Sequence, residues 1–318
     1  MHALNAGETA DSPTAVDAGR RTPHERLTAL GVGITASIAI GGLVGLSGGA
    51  LPVEIVVIAL LSGLSALYVG ALRIAGPGPV IYIFAATAAA GFVDDATDLW
   101  RAVAAAAVGS ALGVLASVAP WLFAHARRRA LGGPAVDDPP TAPELSVRRS
   151  LRRCGQRTLL ATAGRMTLAA AVSAALAAAV GLDHPMWAAM GAMAALQGVD
   201  FHLTVSRGIA RLLGNIAGAG IAAALLLLPL GYWGAVLAIM VFQVIAEITA
   251  PMNYAICSTA VTPMALLLTA LGAGLGPNAA MDRILDTLIG IVVSIVVAAL
   301  TVSATDQAHL PRLADPSA

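Results

Sequence analysis

The sequence predicts an all-α fold, a polytopic bundle of about ten transmembrane helices arranged as four plus six. Three observations carry this. The 318 residues are 58% hydrophobic and 11% charged, with a mean hydropathy of +0.83, whereas a soluble domain carries roughly 25% charged residues. The charges are unevenly spread, gathering in residues 1–26, in 125–157 and in short loops. Between them lie apolar runs of about 20 residues, the length a helix needs to cross a hydrocarbon core of ~30 Å. A membrane β-strand shows instead about ten residues of alternating polarity.

The cytoplasmic tail 1–26 leads into a first run at 27–47, which follows Arg20, Arg21 and Arg26 as the apolar region of a signal peptide follows its charged start. A cleaved signal has an apolar region of about 7–15 residues. This run is longer and more spans follow, so a retained first helix is expected. Spans at 53–73, 79–93 and 101–124 complete a four-span block over 27–124. The stretch 125–158 is basic and carries the Pro-rich segment "GGPAVDDPPTAPEL", which reads as a flexible linker. A six-span block over 159–304 follows, with spans at 159–181, 185–199, 207–229, 231–249, 253–275 and 283–304, and then a tail at 305–318. The spans at 79–93 and 185–199 are short for a full crossing, which leaves them tilted, re-entrant or partly buried in protein.

Orientation follows from charge. The linker holds Arg127, Arg128, Arg129, Arg148, Arg149, Arg152, Arg153 and Arg157, while Asp94, Asp95, Asp98, Asp183 and Asp282 fall in loops on the opposite side. The positive-inside rule places the linker and both termini in the cytoplasm, in a protein of the inner (plasma) membrane. Trp100, Trp121, Trp187 and Trp233 fall near span ends, where amphipathic rings settle. The two blocks also look related. "ERLTALGVGITASIAIGGLVG", "IAGPGPVIYIFAATAAAG" and "WRAVAAAAVGSALGVLAS" are similar in order and character to "ARLLGNIAGAGIAAALLL", "ITAPMNYAICSTAVTPMA" and "DRILDTLIGIVVSIVVAA". Internal duplication is common in secondary transporters.

Composition excludes several chemistries. All 18 basic residues are Arg, so the Lys of a phosphate-binding P-loop and the amine of a Schiff base are both missing. A net charge of zero, with the arginines concentrated in one linker, argues against a nucleic-acid partner. Cys154 and Cys257 are far apart and outside any CxxC spacing, so neither a disulfide framework nor a zinc site is expected. His184 and His202 fall on opposite sides of the membrane. No HExxH, GxSxG or Gly-rich nucleotide loop is present, and no paired acid and base stand out. Neither enzyme activity nor a cofactor or metal is expected.

An ionisable side chain in the bilayer costs about 2.5–3.5 kcal/mol, so each one calls for an explanation. Arg165 lies two turns into the fifth span. Arg207 and Arg211, four apart, share a face at the start of the seventh. Glu247 stands near the cytoplasmic end of the eighth, and Arg283 and Asp286 share a face at the outer start of the tenth. Arg207 and Arg283 also admit a plainer reading, snorkelling to headgroups or an Arg283–Asp286 pair. The depth of Arg165 and Arg211 favours the bundle interior. An arginine facing a cavity binds a carboxylate with fork geometry, which favours an anionic cargo. Pro251, Asn253, Thr262 and Pro263 either break the ninth span and expose backbone groups to a substrate or serve packing alone. Gly214, Gly218, Gly220, Gly290 and Ser294 have the spacing of close helix packing.

"HPMWAAM" at 184–190, "SRGIARLLGNIAGA" at 206–219, "NYA" at 253–255, Thr262 and "RILDTLIG" at 283–290 carry a resemblance. From about Arg165 to Leu300 the chain resembles the fusaric acid resistance protein-like family of integral membrane transporters. These are related to aromatic acid exporters and remotely to aluminium-activated malate channels. The resemblance implies export of small organic acids, aromatic or otherwise carboxylic, coupled to protons. Passive anion flow of the malate-channel type is the alternative. The groups expected to attract the anion are Arg211, Arg165 and Arg283, with Asp286 and Glu247 as proton-coupling or ion-pair groups and Asn253 and Thr262 as neutral contacts. Asn215 stands where the family has Thr. The first two spans of the family's N-terminal half are missing, as is the large cytoplasmic domain of many members. A homodimer supplying the missing wall, or rearranged helices, is then expected. The reading from another class is a non-transporting scaffold whose basic linker binds a partner or anionic lipid.

Overall fold

The computed structural model describes residues 23–48, 50–72, 74, 78–130, 156–197, 201–273 and 279–301. The N-terminal tail up to residue 22, Arg73, most of the basic linker and the C-terminal tail lie outside the described residues. Ten α-helices account for nearly all of the rest: α1 (Pro23–Leu46), α2 (Leu51–Leu72), α3 (Val80–Phe92), α4 (Ala96–Ala130), α5 (Gln156–Ala179), α6 (Met186–Leu196), α7 (Phe201–Leu226), α8 (Gly231–Thr249), α9 (Tyr254–Ala273) and α10 (Ala279–Leu300). By length and composition, 8 of these helices can cross a membrane.

The exceptions are α3, of 13 residues, and α6, of 11. At 1.5 Å per residue they reach roughly 20 and 17 Å, well short of a ~30 Å core. Protein shields them instead. Every residue of α6 from Trp187 to Leu196 is buried, as are Tyr82, Ile83, Ala86 and Ala89 of α3. A helix that ends inside the bilayer is tolerated where neighbours satisfy its open backbone groups. Arg207 does part of this for α6. Its Nε donates to the Ala194 carbonyl at 3.4 Å, and its Nη2 donates to Oε1 of Gln197 at 3.4 Å. A cation belongs at that helix end, where carbonyls lack partners and the helix dipole is negative.

Several helix ends differ from those expected. The fourth helix begins at Ala96 and runs to Ala130, through the arginines assigned to the linker, because Ala and Arg are strong helix formers. The seventh begins at Phe201 and the tenth at Ala279, so Arg207, Arg211 and Arg283 stand deeper in their helices than the sequence suggested. Pro263 does not interrupt α9, which is continuous from Tyr254 to Ala273. The chain breaks earlier, in the turn between α8 and α9 that holds Pro251 and Asn253.

The packing repeats. In the first block α1 lies against α3 and α4, and in the second α7 lies against α9 and α10. These are the segments whose sequences match. The second block adds α5 and α6, both packed on α10, whereas the apolar stretch of α4 has none of its residues buried. The blocks meet through α2 on α5 and through α3 on α6 and α9. Glycines set the closest approaches. A Cβ on Gly214 would lie 2.5 Å from the Ala255 carbonyl oxygen, and one on Gly218 would lie 2.6 Å from that of Thr259. Pro263 has no N–H to offer the carbonyl four residues back, which is Thr259. The freed oxygen therefore sits against the Gly218 backbone, where a Cα–H contact is available to it. Gly220, one residue pair further on, meets nothing within 4 Å.

Candidate functional site

On α7 the buried residues Thr204, Gly208, Arg211, Asn215, Gly218 and Ala222 recur every three or four positions, while Ile209, Leu213, Ile216 and Ile221 are exposed. The helix is thus amphipathic in the inverted sense, with its small and polar side inward and its branched apolar side outward. The same holds for α10, where Arg283, Asp286, Thr287, Gly290 and Ser294 are buried and Leu285, Leu288, Val292 and Val296 are exposed. The two polar faces meet each other and the Ser258–Thr262 face of α9.

Asn215 is the hub. Its Nδ2 donates to the Thr287 hydroxyl, and its Oδ1 accepts from Ser258 at 3.1 Å and from Thr262 at 2.6 Å. Ser258 also lies 3.2 Å from the Arg211 carbonyl, and Thr262 lies 2.9 Å from that of Ser258. All four side chains are at most 2% exposed. One carboxamide thereby ties three helices together, its NH2 group donating to α10 and its oxygen accepting twice from α9. Replacing Asn215 with Leu is expected to cost about 1–3 kcal/mol, read as a lower thermal midpoint in detergent. Asn215→Thr, which puts one hydroxyl donor and acceptor in place of the carboxamide, is expected to lose less.

Two arginines border this network. Arg211 is 6% exposed; its Nη1 donates to the Tyr254 hydroxyl at 3.4 Å and its Nε is buried without a hydrogen-bond partner. Arg207 covers the face of the same tyrosine, 4.2 Å from the ring centre. Arg283 is 1% exposed, so it does not snorkel. Its guanidinium lies 4.9 Å from the centre of the Trp187 ring, and its Nε and Nη1 are unpartnered. Arg283 is near enough to Arg211 and to Asp286 to interact with both electrostatically. Asp286 is fully buried, and neither of its carboxylate oxygens has a hydrogen-bond partner.

Of the residues predicted from sequence, Arg211, Arg283, Asp286 and Thr262 come together here. The others do not. Arg165 is half-buried on α5, which contributes nothing to the network, and its Nε is unpartnered. Asn253 is exposed and caps α9, its Oδ1 accepting from the backbone N–H of Ala255 at 2.9 Å and of Ile256 at 3.4 Å. That is the usual work of Asn at a helix start. Glu247 is exposed and accepts from Gln243 at 2.9 Å on its own helix. Asn215, Ser258, Thr287 and Tyr254 were missed as site residues. Spacing points to three of them, since Asn215 follows Arg211 by four, Ser258 precedes Thr262 by four, and Thr287 follows Arg283 by four.

Long apolar helices packed around a buried, charged and hydrogen-bonded interior define a multi-pass membrane protein. Within that class, residues 170–297 match the family model described as fusaric acid resistance protein-like. The match takes in α6 to α9, the C-terminal part of α5, most of α10, and every residue of the buried site. No curated protein and no solved structure matches the chain.

Proposed function

We propose that the chain carries small organic anions across the cell membrane, and that the carboxylate is held between Arg211 and Arg283. The supporting observation is the presence of unpartnered guanidinium N–H groups on two buried arginines from different helices. A buried donor without an acceptor costs about 1–3 kcal/mol, and a carboxylate supplies acceptors in the geometry that guanidinium groups favour. Charge points the same way. Arg211, Arg283 and Asp286 together carry a formal +1, and Arg207 on the Tyr254 face adds a further positive charge, so the site is net positive and suits an anion. Thr262 and Asn215 fix the helices that present the arginines.

Reconstituted vesicles test the reading. Wild-type protein is expected to release a trapped monocarboxylate, and Arg211→Gln to slow release by roughly 10- to 150-fold. That range corresponds to the loss of one charge-assisted hydrogen bond of about 1.5–3 kcal/mol. Unchanged flux in a folded Arg211→Gln protein would sink the proposal.

A further inference from the structure

A second cavity chemistry lies at the acidic end, apart from the arginines. A cavity of about 220 Å³ opens where the C-terminal parts of α1, α3 and α9 meet the start of α2 and the α5–α6 loop. The loop is positioned by a capping turn. Gly181, with φ of 83°, lets its own N–H reach the Ala178 carbonyl and that of Leu182 reach the Ala177 carbonyl, both at 3.0 Å. The chain then turns through Asp183 and His184 into Pro185, the N-cap of α6. Among the residues bordering the cavity are the rings of Phe84, Phe92 and Trp187, the carboxylates of Glu54 and Asp183, and the imidazole of His184. No arginine borders it, among the described residues.

We infer that this cavity is a binding site for a small organic ammonium ion with an aromatic or alkyl body. Size and chemistry both select that class. A cavity of about 150 Å³ holds one benzene ring, so 220 Å³ accepts a ring with a short arm. Aromatic faces attract cations, more strongly where water is excluded. The carboxylates of Glu54 and Asp183 supply the counter-charge, at an end of the molecule that also carries Asp94, Asp95, Asp98 and Asp282. A cluster of one sign focuses the field and concentrates the opposite ion.

The nearby cations do not spoil this. Arg101 is exposed and paired with Asp98 at 3.3 Å. Arg283 is held on the Trp187 ring beside Asp286. His184 stacks on Trp187 with centroids 4.3 Å apart and planes 11° apart. Burial lowers the pKa of His184, opposed by Asp183 and Asp282 and helped by Arg283, which favours the neutral ring. The two sites use different charged groups and meet at Trp187, which borders the cavity and carries Arg283 on its ring.

Calorimetric titration of the full chain in detergent at neutral pH, with benzylammonium, benzyl alcohol and benzoate, tests the inference. Benzylammonium is expected to bind saturably and roughly tenfold more tightly than the other two. Glu54→Gln is expected to remove most of that preference and to leave benzyl alcohol binding unchanged. Asp183→Asn, at an exposed loop position, gives the same comparison if Glu54→Gln does not fold. Equal binding of benzyl alcohol or benzoate, no saturable benzylammonium binding, or a preference that survives both substitutions overturns it. Arg211→Gln is expected to leave benzylammonium binding intact, so failure of the anion reading and failure of this one are read separately.

Discussion

Gly290→Val is expected to abolish recovery of folded protein, read as loss of the monodisperse peak in detergent. A Cβ at Gly290 would run into the carbonyl oxygen of Ala188 and lie 2.7 Å from the amide nitrogen of Ala192. Both are backbone atoms of α6, a helix buried from Trp187 to Leu196 with nowhere to retreat. Overpacking a core usually costs about 1–3 kcal/mol, and more where side chains cannot rotate away. The damage would also reach the site, since Thr287 and Asp286 stand one turn before Gly290 on the same face of α10. The control is Gly220→Val on α7. Nothing lies within 4 Å of that position, so near-normal recovery is expected there. Equal losses from both would mean that the α6–α10 contact is not what the glycine serves.

The contrast between these glycines marks how far the sequence could be read. Helix existence was legible, because apolar runs bounded by charges leave no other state in a membrane. The inverted pattern of α7 and α10 was legible in part, since Arg211, Arg283 and Asp286 stand out as polar residues in apolar surroundings. Gly220 belongs to the same glycine-rich run as Gly218, yet only Gly218 follows Gly214 by four and shares its face towards α9. Asn253 misled for a related reason. A polar residue beside an apolar run reads equally as a substrate contact or as a cap, and only the turn before α9 decides for the cap. Asn215 was visible as a departure from the family pattern and as a polar residue four after Arg211. Its role as hub depends on Ser258 and Thr287 coming from two other helices, a convergence that no local spacing encodes. The depth of Arg283 was hidden because α10 begins a turn earlier than the charges suggest.

That depth sets the second large effect. Arg283 and Asp286 make no ion pair within 4 Å, but Asp286→Leu alone leaves Arg283 buried at 1% exposure without the buried carboxylate that offsets its charge. Removing one member of a buried charge pair costs about 3–5 kcal/mol, whereas replacing both with apolar residues of similar size is often neutral or stabilising. Asp286→Leu is therefore expected to be poorly folded, and Arg283→Met combined with Asp286→Leu to recover a thermal midpoint close to the wild type. The two roles of Arg283 then separate. Folding tolerates its removal when Asp286 goes too, because the interior becomes uncharged at that point. Anion movement does not tolerate it, because the remaining arginine offers one fork where the carboxylate needs two donors from opposite helices. The folded double variant is expected to retain less than about a tenth of wild-type flux, the loss of at least one charge-assisted hydrogen bond. If it transports at the wild-type rate, Arg283 is a structural charge balanced by Asp286, and Arg211 alone must account for selectivity.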